Sequence, residues 1–177
     1  MQTQLIAALA FAGALAISQS ASAADGNITF NGEVTGQTCA INGGTNDLVV
    51  TLPTVAASAL DTVGKTAGLT PFNIDLTGCA ATPGKVRVAF EPGATVDAST
   101  GRLRTTGGAT NVQIGLRNAA DTSTINLGAA AAGQNSTAVD IVNGNASLRY
   151  TAEYVATGGA ATVGLVTTSV VYSLAYP

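Results

Sequence analysis

No histidine and no tryptophan occur among the 177 residues. Without an imidazole the chain cannot run a Ser-His-Asp or Cys-His mechanism, and it lacks the side chain from which most transition-metal sites are built. Charge is scarce as well, with Lys+Arg at 7 and Asp+Glu at 10, for a net charge of −3. The basic residues are scattered singly or in short pairs. No stripe follows a phosphate backbone, so the reading is no nucleic acid among the partners. One long apolar run exists, at the N-terminus, and it is too short to span a bilayer, so no stable membrane insertion is expected. Acid pairs such as Glu91 with Asp97 arise by chance among ten acids. The hydroxyls have no base of suitable pKa beside them except Lys65 and Lys85, and no Gly-rich phosphate loop sits in strand–helix context. The expectation is no enzyme and no cofactor. Against these absences stand a hydrophobic fraction of 46%, too high for disorder, and many Thr and Val residues, which favour strands.

The apolar run at residues 5–17 (LIAALAFAGALAI) is followed by Ser18-Gln19-Ser20 and then Ala21-Ser22-Ala23, a small-x-small cleavage site. Residues 1–23 therefore read as a signal peptide cut between Ala23 and Ala24. Its first residues, Met1-Gln2-Thr3-Gln4, lack the usual Lys or Arg, and a buried N-terminal helix is the alternative. Export gives Cys39 and Cys79, the only cysteines, a meaning: an isolated pair in an oxidising compartment forms a disulfide. Closing that loop contributes on the order of 4 kcal/mol. A redox pair needs closer spacing.

Along the mature chain, apolar residues recur at a period of two. Leu48, Val50 and Leu52 share a face in 47–53; Phe72, Ile74 and Leu76 do so in 70–77. Val86, Val88 and Phe90 alternate with charged residues in 85–91, Val112, Ile114 and Leu116 repeat the pattern in 111–117, and Leu148, Tyr150, Ala152 and Tyr154 in 147–154. These are half-buried strands. Turn clusters such as Asn42-Gly43-Gly44 and Asn143-Gly144-Asn145 separate them, which argues for one antiparallel sandwich or barrel. One helical candidate, 55–67, opens with Ser58-x-x-Asp61, and Gly64 and Gly68 limit it to a turn or two. The run 128–133 (GAAAAG) reads as a flexible loop. Cys79 is out of phase with Phe72, Ile74 and Leu76; a bulge or a disulfide at the sheet margin would each account for that.

Two segments stand apart. Residues 26–34 (GNITFNGEV) form an amphipathic strand at an extreme terminus, where chains commonly fray; a first edge strand is the plain reading. Residues 164–177 (GLVTTSVVYSLAYP) carry one long apolar face, and such a strand left at an exposed edge invites aggregation. Something must cover it.

The export signal, the opening ADGNITFNGEVTGQTC, the segment TPFNIDLTGC ending at Cys79 and the ending VVYSLAYP together resemble fimbrial subunits of the chaperone–usher pathway, of the type 1 pilin family, over essentially the whole mature chain. The resemblance implies an all-β fold: an incomplete immunoglobulin-like sandwich lacking its last strand, with an N-terminal donor-strand extension. It implies three parts: signal peptide 1–23, extension 24–37 and pilin domain 38–177. Gly26, Ile28, Phe30, Gly32 and Val34 would be the groove-facing donor positions, Gly32 where the groove is too shallow for a side chain and Gly26 offering none at the first position. Gly164, Val166, Val170, Tyr172, Leu174 and Tyr176 would form the chaperone-binding and acceptor-groove strand. The implied partners are a periplasmic chaperone, an outer-membrane usher, and other copies and related pilins in a head-to-tail filament, a surface fimbrium supporting adhesion. The alternatives are a minor or adaptor subunit with the same motifs, and a non-polymerising secreted carbohydrate-binding sandwich.

Overall fold

The computed structural model describes residues 39–80 and 84–177. The signal peptide, its cleavage site at Ala23 and Ala24, and the donor positions Gly26, Ile28, Phe30, Gly32 and Val34 lie outside the described residues. Within them the fold is all-β, with three short 3₁₀ turns. The strands in chain order are β1 (Ala40–Ile41), β2 (Thr66–Thr77), β3 (Lys85–Phe90), β4 (Val96–Asp97), β5 (Arg102–Arg104), β6 (Val112–Asn118), β7 (Thr124–Ile125), β8 (Val139–Asp140), β9 (Ala146–Ala156) and β10 (Tyr172–Ala175).

Two sheets face each other. The larger runs β1-β2-β9-β6-β5-β4, with β7 added on β6, and the smaller runs β10-β3-β8. Every ladder is antiparallel. Alternation decides the inner faces. Ile74, Leu76, Leu116, Leu148 and Tyr150 from the larger sheet meet Val86, Val88 and Phe90 from the smaller one in a single core. Tyr150 sits at its centre. Its ring lies 5.6 Å from Phe72 and 5.8 Å from Phe90, and its hydroxyl is 3.0 Å from Ser136 Oγ, so the buried polar end has a partner.

Four expected strands, in 70–77, 85–91, 111–117 and 147–154, correspond to β2, β3, β6 and β9. The helical candidate is corrected. Only Ala57–Leu60 forms a 3₁₀ turn, without a side-chain cap, and β2 has begun by Thr66. The reason is packing: Gly64 N–H and the Lys65 carbonyl bond to Ala156 on β9, which draws the chain into the sheet. The run 128–133 is not a loose loop either. It leads into Gln134, a fully buried side chain that donates to the Phe90 carbonyl (2.6 Å) and accepts from the Phe90 N–H (2.9 Å). The amide stands in for the strand neighbour that β8, paired only at Lys85 and Val86, does not supply.

The Cys39–Cys79 disulfide is present. It lies at the sheet margin, just beyond the pairing of Ala40 with Thr77. Cys79 turns inward because β2 ends at Thr77 and Gly78 takes φ 61°, a left-handed conformation that suits glycine and breaks the two-residue period.

Candidate functional site

The expected strand at 47–53 has no ladder. Val50 and Leu52 do turn toward the core, yet among the described residues 46–55 make no main-chain to main-chain hydrogen bond. The chain runs extended and alone. A similar asymmetry marks 164–171. Thr106 and Thr167 exchange two bonds of 2.8 Å, Ala109 N–H donates to the Leu165 carbonyl, and Glu91 N–H donates to the Val171 carbonyl. The odd-numbered residues thus bond to one side. Val166, Thr168 and Val170 find no main-chain partner among the described residues on the other side, where 46–52 lies across a gap. The expected single long strand 164–177 is therefore a half-paired edge that becomes a regular ladder only in β10.

Between these two banks lies an elongated groove of about 740 Å³. Its floor is the core seen from the side: Phe72, Ile74, Ile114, Leu116, Ala152 and Tyr154, backed by Leu103 and Phe90. Leu48, Val50 and Leu52 line one bank, and Val166, Val170 and Tyr172 the other. The banks are tied at one end, where the Tyr172 hydroxyl donates to the Asn46 carbonyl at 2.7 Å. Burial raises the phenol pKa values of Tyr154 and Tyr172, Tyr172 also through the charge of Asp47, so both rings stay neutral. The groove is an apolar trough with bare backbone edges.

Of the six acceptor-strand residues expected from sequence, Val166, Val170 and Tyr172 line the groove. Leu174 and Tyr176 continue the same face past its end and pack on the core, with Leu174 opposite Val88. Gly164 does not line it. A Cβ there would run into the backbone of Gly108 and Ala109, so glycine lets the two segments cross. Sequence reasoning missed the floor residues as binding residues, because nothing in the alternation of β2, β6 and β9 tells a face covered by its own chain from one left open. The acids Glu91 and Asp97 do not act as a pair. Glu91 accepts from Ser173, and Asp97 from Ser99 and Gln113 with Arg104 alongside.

A two-sheet antiparallel sandwich with one side unfinished belongs to the incomplete immunoglobulin-like class. Solved structures of the same shape include the P pilus rod subunit PapA, with TM-score 0.61 and 22% identity over 78% of this chain and 99% of that one. A chaperone–usher pilus subunit gives TM-score 0.60 and 24% identity over 87% and 96%. Residues 52–177 match the family described as Type-1 fimbrial protein, A. The F17 fimbrial protein of Escherichia coli is 48% identical, over 92% of this chain and 93% of its own. The major fimbrial subunit SMF-1 of Stenotrophomonas maltophilia is 49% identical over 88% and 95%. The chain belongs to the type-1 fimbrial protein family, whose members are structural subunits of fimbriae.

Proposed function

We propose that this chain is exported through the periplasm and polymerises head to tail into the shaft of a surface fimbria by strand donation, the fibre supporting adhesion. Residues 24–37 of one copy, with Gly26, Ile28, Phe30, Gly32 and Val34 turned inward, would fill the groove of the next. The observation that carries this reading is the pair of facing banks with unpartnered main chain above an apolar floor. One inserted strand meets both needs at once. Its backbone pairs with 46–52 and 166–172, and Ile28, Phe30 and Val34 each gain roughly 1.5–3 kcal/mol by burial before ordering costs. Donor and acceptor are different surfaces, so the contact cannot close on itself and repetition makes a fibre. Before assembly a chaperone strand would hold the same groove, to be exchanged at an outer-membrane usher. The aliphatic lining of both banks suits a strand better than a sugar. The name major fimbrial subunit, carried by a relative at 49% identity, supports a shaft role.

The test is the mature domain, residues 24–177, expressed with and without a second copy of 24–35 fused after Pro177. The fused form should be a monomer that unfolds at much higher denaturant than the parent. Equal midpoints would remove the case for strand donation.

A further inference from the structure

One hydrogen bond crosses the groove. The Tyr172 hydroxyl donates to the Asn46 carbonyl at 2.7 Å, between residues 126 apart in sequence. Among the described residues it is the one hydrogen bond that reaches the bank 46–52. Tyr172 also packs against the core, so its ring approaches Asn46 along the floor side of the gap. A strand laid between the two banks stands about 4.8 Å from each. A ring that reaches from one bank to the main chain of the other therefore crosses the inner face of that strand. At this level the phenol already fills the space that an inward side chain would take.

We propose that Tyr172 is a specificity residue of the groove: it admits a strand only where that strand has no inward side chain, and Gly26 of the incoming copy is the residue it takes. The proposal rests on the strand-donation reading and assigns the register within it. The inward positions of the extension are 26, 28, 30, 32 and 34, and two of them are glycine. With Gly26 over the ring, Ile28 faces Val170, Phe30 faces Thr168, Gly32 faces Val166 and Val34 reaches the level of Gly164. Segments 26–34 and 164–172 are equally long, so Ile28, Phe30 and Val34 all stay on the open side of the ring. Gly32 over the ring does worse. In one direction it carries Ile28 and Phe30 past the ring, and in the other direction Val34, away from the floor. A slide of two residues brings Ile28 or Ala24 onto the ring, and a side chain forced into occupied space strains what it meets. The same contact discriminates between donors. An extension with this alternation but a branched residue at the first position enters only by driving Tyr172 off Asn46, which removes the one hydrogen bond that holds that bank.

Fibres of the full chain test it, read as the temperature at which their ladder in SDS collapses to monomer. Gly26→Val should lower that temperature well below wild type, because the valine meets the phenol. Tyr172→Leu is too short to reach Asn46 and still apolar against the core, and adding it to Gly26→Val should restore most of the loss. Gly32→Val meets Val166 instead and should lose as much with Tyr172 in place as with Tyr172→Leu. Where Tyr172→Leu yields no fibre, Tyr172→Phe, which keeps the ring and loses the tie, should give the same rescue to a smaller degree. A Gly26→Val loss that is absent, or equal in the two backgrounds, overturns the role of Tyr172 and leaves strand donation intact. Rescue of Gly32→Val in place of Gly26→Val overturns the register. Wild-type fibres that give no ladder overturn both this inference and the strand-donation reading.

Discussion

β2 and the segment 47–53 are written in the same alternating code and end in different states. In β2, Ile74 and Leu76 are 2% and 1% exposed, and the strand is paired along its length with β9. In 47–53, Leu48 is 41% exposed and the backbone has no ladder. Both segments point apolar residues at one core. The difference is a neighbour: β2 has β9 beside it, whereas the place beside 47–53 is the groove. Period-two hydrophobicity specifies which face is apolar, and pairing is a separate matter that depends on what the rest of the chain can supply.

The sharpest way to break this comparison is to truncate one residue in each region. Ile74→Ala should lower the unfolding free energy of the isolated domain by about 2–5 kcal/mol. Leu48→Ala should cost less than about 1 kcal/mol there, as exposed substitutions do. In the self-complemented form, where the groove is filled, the Leu48→Ala cost should rise toward about 2 kcal/mol. Denaturant unfolding of the four proteins measures this, and equal costs at the two positions in the isolated domain would erase the contrast.

Next in size is the staple between the regions. The disulfide fixes the start of the open side to the end of β2, and Cys39→Ser with Cys79→Ser should cost about 2–5 kcal/mol, read as a lowered thermal midpoint under oxidising conditions. Gly164→Ala should cost about 1–3 kcal/mol by pushing 164 away from Ala109, and the same melts detect it. The smallest effect is electrostatic. Asp97 is held down to about 2 from 3.8, first by the Ser99 hydroxyl (2.6 Å), then by the Ser99 N–H, the Gln113 amide and the Arg104 charge. A carboxyl depressed in the folded state stabilises above its unfolded pKa, and that contribution disappears as pH falls from about 4 toward 2. Asp97→Asn should flatten the pH dependence of stability in that window and leave its shape near neutral pH unchanged.

The elements legible in the sequence were those whose partners are local in pattern: Val86, Val88 and Phe90 opposite charged residues, or Leu148, Tyr150 and Ala152 along β9. The cysteine pairing was legible for a different reason, since two thiols in an exported chain leave one choice. The turn at Ala57–Leu60 is shorter than the candidate over 55–67, and 3₁₀ rather than α, because Ala156 bonds Gly64 and Lys65 and draws the chain into the sheet, which the cap-like Ser58 and Asp61 do not reveal. Gln134 gave no signal at all. A glutamine after an alanine run looks like loop, and only the fold brings it to the unpaired edge of Phe90. The groove was legible at Val166, Val170 and Tyr172, whose alternation runs on to the chain end, and invisible at Ile114, Leu116 and Ala152.

By itself, the sequence determined which side of each strand is apolar, because a residue's face follows from its place in the pleat. It also determined that the two cysteines join. Only the tertiary structure decided where the sheets stop, and therefore that Ile74 and Tyr154 are floor as well as core. Whether a main-chain edge is satisfied depends on strands distant in sequence coming alongside, and no local pattern records that a neighbour is absent.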